Sequence, residues 1–285
     1  MKEYWEGVPE LDGAHAVEMW VEVEPKVSIR VVVWKPKEVS ENYDGTVVMV
    51  PGWGSLFEGW RPLVSEWVRH RHLVYIETRE KASCKINKKI SKFDFSMERH
   101  SRDIGIVLES LNIDQSMVDW YSSSLGSTLL IDAYQRRVLG GRSSVLLAPN
   151  PDFKFPLWSR ALIYSPLPIS VFRKMVGFVA WAVDKRTKED GQKVRYRRAL
   201  LSQDVPRMLL SARFNLGYRL PDDLSRIEVP CAVMTASSDT LHDFSKVQRI
   251  ADSIPNCQMI EVPSNQYAHE PEVLRDIKKF HSSIE

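Results

Sequence analysis

Three observations predict an α/β fold with a mostly parallel central sheet, helices on both faces and a helical insertion. Short continuous apolar runs, Thr46–Val50 and Leu73–Ile76, alternate with helical patterns, as strands covered on both faces do. The stretch V-D-W-Y-S-S-S-L-G-S at 118–127 passes from β-branched and aromatic residues through a group of small ones straight into a helical pattern. Strand rhythm then disappears between Pro151 and Asp223 and returns at Pro230. The expected division is a core over residues 1–150 and 226–285, with a helical cap over 151–225.

The elements follow in chain order. Ala16–Val23 and Val27–Trp34, separated by Glu24-Pro25-Lys26, predict a hairpin. Thr46–Val50 is a buried strand ending in Pro51-Gly52-Trp53-Gly54-Ser55, Trp60–Val68 a helix, and Leu73–Ile76 another strand. Lys81–Lys92 is basic and aperiodic, which predicts a solvated surface loop, with an anionic ligand or a membrane surface as the alternative. Met97–Leu111 has helical spacing, Val118–Ser123 is the strand before the small-residue turn, and Ser143–Ala148 is the next strand. In the insertion, Ile169–Val183 and Asp204–Leu216 read as helices. The first is apolar nearly all round and is expected to be buried over a pocket; the basic residues bracketing it make a membrane-seated helix the alternative. Pro230–Ala236, Phe244–Ile254, Gln258–Val262 and Pro271–His281 then give strand, helix, strand and helix.

Composition narrows the function. At 285 residues and 44% hydrophobic content, the chain can bury a large core. Lys and Arg (39) nearly balance Asp and Glu (37), so there is no field suited to nucleic acid. The first residues lack the basic-then-apolar order of a secretory signal, and no run of about 18 apolar residues occurs, so a cytoplasmic protein is expected. Cys84, Cys231 and Cys257 are few and far apart, which predicts packing residues rather than a disulfide framework or a zinc site. No cofactor and no metal is expected, and the oligomeric state is not legible.

The turn at 122–126 has Ser124 at its tip. A sharp strand-to-helix turn strains its central residue and needs neighbours that are nearly free of side chain two places before and after; Ser122 and Gly126 meet that need. The alternative is a serine-rich helix cap. Two further groups fall after strands: Asp239 after the strand at 230–236, and His269 after the strand at 258–262. With the Pro51-Gly52-Trp53-Gly54 loop, this order of Ser, Asp and His resembles the α/β-hydrolase family over residues 46–150 and 228–285.

The resemblance implies that Ser124 is a nucleophile, His269 its base and Asp239 the acid that orients the imidazole. It also implies an oxyanion hole from the backbone N–H groups of Leu125 and Trp53. His242 is a rival base and Asp152 a rival acid; His15, His70, His72, His100 and His281 are expected at the surface. The chain departs from the family pattern at Glu77-Thr78-Arg79-Glu80-Lys81, where an acidic residue and glycines are usual, and at Pro51, Ser122 and Ser127. The implied function is a serine hydrolase acting on a carboxylic ester or thioester. Phe153, Phe155, Trp158, Tyr164, Phe172, Phe178 and Trp181 in the cap favour a substrate with an apolar moiety. A carbon–carbon bond hydrolase with the same triad and a non-catalytic ligand-binding member of the fold are the alternatives, and a weak membrane-surface contact is a third.

Overall fold

The structure, a computed structural model, describes residues 7–38, 45–187, 189–236 and 243–284. Strands β1 (Ala14–Glu24) and β2 (Val27–Pro36) form the expected hairpin, turning through Lys26 at a positive φ of 68°. β3 (Thr46–Val50), α1 (Arg61–Trp67) and β4 (His72–Ile76) make the first crossover unit. A two-residue strand β5 (Lys85–Ile86) precedes α2 (Met97–Ser110), β6 (Val118–Ser123), α3 (Leu125–Gln135) and β7 (Ser143–Leu147). After the insertion come β8 (Cys231–Ala236), α8 (Phe244–Ser253), β9 (Gln258–Val262) and α9 (Val273–Ile284).

Among the described residues, the strands form one sheet in the order β1-β2-β4-β3-β6-β7-β8-β9, with β5 on β2. Everything from β4 to β9 is parallel; β2 joins β4 antiparallel. The period of two in the strands explains the two cores. Val48 and Val50 face a cluster with Met97 and Ile104 of α2, Leu129 of α3 and Val247 of α8. Val47 and Met49 face the opposite cluster, with Leu63 of α1 and Phe280 of α9. A strand covered on both faces has no polar side to offer, which is why these runs are apolar throughout.

The insertion contains four helices rather than the two its apolar runs predicted: α4 (Leu157–Tyr164), α5 (Ile169–Arg186), α6 (Asp190–Leu201) and α7 (Val205–Asn215). The sequence of α6, DGQKVRYRRALL, is mostly polar and has no apolar run to mark a helix. α5 is not buried all round. Phe172, Val176 and Ala180 pack inward, while Phe178 and Trp181 are each 54% exposed. No helix among the described residues is long and apolar enough to cross a membrane.

The expected surface loop at 81–92 is corrected at its start. Lys81, Ser83 and Cys84 are buried, as are Glu77, Thr78, Arg79 and Glu80 before them; from Lys85 onward the loop is largely exposed. The charges are buried because they are paired. Arg79 binds Asp103 of α2 (2.7 Å to Oδ1) and Glu24 of β1 (2.8 Å), and Lys81 binds Glu80 (3.0 Å). His100 is likewise buried rather than at the surface. Burial pushes its imidazole down to about 4, against the pull of Glu80. Glu80 would be raised by burial, but Lys81, His100 and the Thr78 hydroxyl outweigh that and hold it at about 2.

Candidate active site

The carboxyl ends of β3, β6, β7, β8 and β9 lie along one sheet edge, so the loops that follow them meet there. This is the position where open parallel sheets take their ligands. Ser124 follows β6 with φ 48° and ψ −111°, a region that costs a non-glycine residue about 1–3 kcal/mol. The surroundings enforce it: Ser124 N–H donates to Leu147 O (2.8 Å), and its carbonyl accepts from Thr128 N–H (3.0 Å) in the first turn of α3.

Gly126 is required by space. A Cβ there would stand 2.1 Å from Val50 O at the end of β3. Ser122 fits where a glycine is usual because its hydroxyl pairs with Ser127 Oγ (3.0 Å), while Ser127 donates to Leu147 O (3.0 Å). The two departures from the family pattern are thus one compensated pair.

His269 sits in a short helical turn after β9 and is 7% exposed. Its ring stacks on Trp60 with centroids 3.9 Å apart, and its Nδ1 donates to Asn265 O at 2.9 Å. That contact puts the proton on Nδ1 and leaves Nε2 as the basic nitrogen. The preceding residue is fixed too, since Tyr121 of β6 donates its hydroxyl to Ala268 O (2.7 Å). Ser124 and His269 line one cavity of about 100 Å³, together with Gly52, Trp53 and Trp60. Asn150, just past β7, donates Nδ2–H to Ser124 Oγ at 3.1 Å.

Asp239 and the rival base His242 lie outside the described residues. The rival acid Asp152 is committed elsewhere: it pairs with Lys246 and faces a separate cleft. Leu125 is buried at the first position of α3, where a helix leaves its N–H groups without intrahelical partners. Trp53 lines the cavity from the loop after β3.

That loop is held on every side. Gly52 N–H donates to Ser123 Oγ (2.9 Å), and Gly52 O accepts from Ser55 N–H (3.0 Å) and from Lys81 Nζ (3.1 Å). The cap adds Gln203 Nε2–H to Gly54 O (2.8 Å), and Trp53 Nε1–H donates to Ser211 Oγ (2.8 Å). On the histidine side, Arg195 of α6 donates to Asn265 Oδ1 (2.8 Å) and to Gln266 Oε1, and Glu189 accepts from the N–H groups of Asn265 and Gln266.

Several residues of the site were not read from the sequence. Asn150 carried a usable signal, since it follows a strand that ends on the same edge. Arg195, Tyr196 and Arg198, which line the cavity from α6, and Trp60 carried none, because their role depends on how the cap folds over the core.

Trp53 also borders a second cavity of about 210 Å³ inside the cap, walled by Phe155, Trp158, Phe172, Met175 and Leu209. Its walls are almost wholly apolar. Among the described residues, no group of His, Cys, Asp or Glu is gathered to hold a metal ion.

No protein-family model matches the chain, and no curated protein matches it by sequence. Solved structures do match. A thermophilic esterase from Thermogutta terrifontis superposes with a TM-score of 0.72 at 16% identity, covering 95% of this chain and 99% of that one. The enol-lactonase from Burkholderia xenovorans gives 0.70 at 13% identity over 93% and 98% of the two chains. A hydrolase from Pseudomonas aeruginosa gives 0.68 at 16% identity over 94% and 96%.

Proposed function

Because the chain has the α/β-hydrolase fold, we propose that it is a serine hydrolase cleaving a carboxylic ester or thioester through an acyl-enzyme. The observation that carries this is Ser124 held at strained backbone angles in the same cavity as a histidine whose Nδ1 proton is engaged by Asn265 O. A serine hydroxyl is a weak nucleophile until a neighbouring base takes its proton, and His269, with its proton on Nδ1 and Nε2 unprotonated, is that base.

Ser124 Oγ attacks the substrate carbonyl as His269 takes the proton. The tetrahedral oxyanion is received by the N–H groups of Leu125 and Trp53. His269 then gives the proton to the departing alcohol or thiol. Water attacks the acyl-enzyme by the same route in reverse and regenerates Ser124. Asp239, by its place in the chain order, steadies the imidazolium. Asn150 donates to Ser124 Oγ, which leaves the serine proton to point elsewhere, toward the base.

The cap cavity supports a compact apolar group on the substrate. A dry cavity of about 150 Å³ holds benzene, so about 210 Å³ suits a ring or a short branched chain better than a long fatty chain. The names of the esterase and enol-lactonase neighbours agree with an acyl–oxygen bond as the target. The outward face of α5, with Phe178 and Trp181 between Arg173, Lys174 and Lys185, supports in addition a weak contact with an anionic membrane surface. Co-sedimentation with anionic vesicles, reversed by salt, tests that contact.

A fluorophosphonate probe should label the protein at Ser124, and Ser124→Ala should lose both labelling and hydrolysis by about 10³-fold or more. Asp239→Asn should lower kcat by about 10³-fold with little change in KM. Unchanged labelling in Ser124→Ala would defeat the proposal.

A further inference from the structure

The oxyanion hole proposed above needs the Trp53 N–H to point into the cavity, and the Gly52–Trp53 peptide unit settles its direction. A trans peptide is planar, with C=O and N–H pointing oppositely. Whatever holds the Gly52 carbonyl therefore aims the Trp53 N–H. The carbonyl is held by two donors, Ser55 N–H at 3.0 Å and the ammonium of Lys81 at 3.1 Å. Ser55 lies in the same short loop and moves with it. Lys81 comes from a different part of the chain, the turn after β4.

Lys81 is 2% exposed, and its three N–H bonds have three acceptors: Gly52 O, Thr78 Oγ1 (2.9 Å) and Glu80 Oε1 (3.0 Å). An ammonium with every proton engaged cannot rotate away without losing a charge-assisted bond. Its own turn is anchored by the cap, since Arg207 of α7 donates to Lys81 O and Cys84 O, each at 2.8 Å. The turn has no glycine and is built from buried charges, each held by a partner, so its geometry is fixed by those pairs.

We infer that Lys81 is a positioning residue for the oxyanion hole: its buried ammonium grips the Gly52 carbonyl, and so orients and polarises the Trp53 N–H. The inference rests on the serine-hydrolase reading. Two effects could act. Through space the Lys81–Glu80 pair is nearly neutral, so its field at the oxyanion is that of a dipole and falls off quickly. Through the peptide bond, a cation on the carbonyl oxygen strengthens the N–H as a donor, as in any chain of hydrogen bonds. The second effect, with the fixed geometry, dominates.

The test compares Glu80→Gln/Lys81→Met, which removes both charges together, with Glu80→Gln/Lys81→Gln, which restores a neutral donor to Gly52 O. The first should lower kcat about tenfold or more, with KM within about threefold, because the lost stabilisation exists only in the transition state. The inhibition constant of an alkylboronic acid, which forms a tetrahedral adduct on Ser124, should weaken in step. The second variant should recover most of both.

A folded Glu80→Gln/Lys81→Met with unchanged kcat, or with boronate affinity intact while kcat falls, overturns the assignment. If that variant does not fold, Thr78→Val removes one acceptor of Lys81 with almost no change of volume. It should lower kcat and boronate affinity together by a few-fold, and no change in either overturns the assignment as well. Failure of the underlying reading looks different, since wild-type protein would then neither label with fluorophosphonate nor lose hydrolysis in Ser124→Ala.

Discussion

The core and the cap are stabilised by different means. In the core, the strand residues of β3 and β4 are almost wholly shielded, and two large apolar clusters sandwich the sheet. The cap has one small cluster, built on Phe172, Val176 and Leu209, and leaves Leu157, Phe178 and Trp181 largely in solvent. At the site, cap and core are joined by hydrogen bonds, Gln203 on Gly54, Ser211 on Trp53, Arg207 on the Lys81 turn and Arg195 on the histidine loop, and by the Trp53 ring packed on the cap cluster against Phe155. Ser124 is fixed directly by the end of β6 and the start of α3, whereas the loops carrying Trp53 and His269 also take bonds from the cap. On the proposed function, substitutions in the core should act on stability and kcat, and substitutions in the cap chiefly on KM and substrate preference.

The largest stability effect should come from the core at its tightest point. In Gly126→Ala the new methyl meets Val50 O and Pro51 O, both backbone, so β3 and the loop carrying Trp53 must shift. A destabilisation of about 3 kcal/mol is expected, with fluorophosphonate labelling lost even in the folded fraction. Urea unfolding measures the first and labelling the second; a wild-type midpoint would mean that the serine turn is looser than its geometry states.

Next in size is a pH effect from the buried charges. His100 is held at about 4, while its ordinary value is 6.5. The folded protein keeps it neutral where the unfolded chain would protonate it. Its contribution is therefore intact above about 6.5 and is lost as pH falls toward 4, amounting to about 3 kcal/mol by the linkage of about 1.4 kcal/mol per unit. Glu80, held at about 2, adds a loss with the same sign between 4.5 and 2. Chemical unfolding at pH 7 and pH 5 should differ by this slope, and His100→Gln should flatten the part above pH 4. An unchanged slope in that variant would assign the acid sensitivity to other groups.

How much of this was legible in the sequence follows the same division. Strands such as Thr46–Val50 and helices such as Met97–Ser110 were readable because burial on two faces, or on one stripe, imposes a pattern on consecutive residues. The serine turn was readable because Gly126 and the small residues around Ser124 answer a local steric demand. α6 was not, because its helix shows no apolar stripe and takes its place from contacts such as Arg195 to Asn265, about 70 residues along the chain. The turn at 77–81 departs from the family pattern, and the stretch that continues it has the basic, aperiodic composition of a solvated loop. Pairing to Glu24 and Asp103 reversed the ordinary preference of charge for water, and no local pattern marks a partner so distant. Asn150 and Lys81 fall between these cases: their positions after strands were visible, but their bonds to Ser124 and Gly52 were not.

On the cap side, Arg195→Ala removes the clamp on Asn265 and Gln266 without touching the core. KM should rise about three- to tenfold while stability changes by less than about 1 kcal/mol, since partly exposed polar contacts are worth little to folding. A fall in kcat matching the rise in KM would instead place Arg195 among the groups that hold His269 itself.

The smallest effect is expected at the outer face of α5. Phe178 and Trp181 stack on each other at 5.7 Å between centroids, yet each is half in water, so the pair shields little from solvent. Phe178→Ser/Trp181→Ser should therefore move the unfolding free energy by no more than about 0.5 kcal/mol and leave kcat/KM on a short water-soluble ester unchanged. An inward residue about two turns earlier is the control. Phe172→Ala, on the same helix but 5% exposed and lining the apolar cavity, should cost about 3 kcal/mol and change the preference among esters with differently sized apolar groups. If the outer pair altered ester preference as much as Phe172 did, α5 would present its solvent side to substrate, and the cap would have to close differently from the arrangement that seats Trp53 on Ser211.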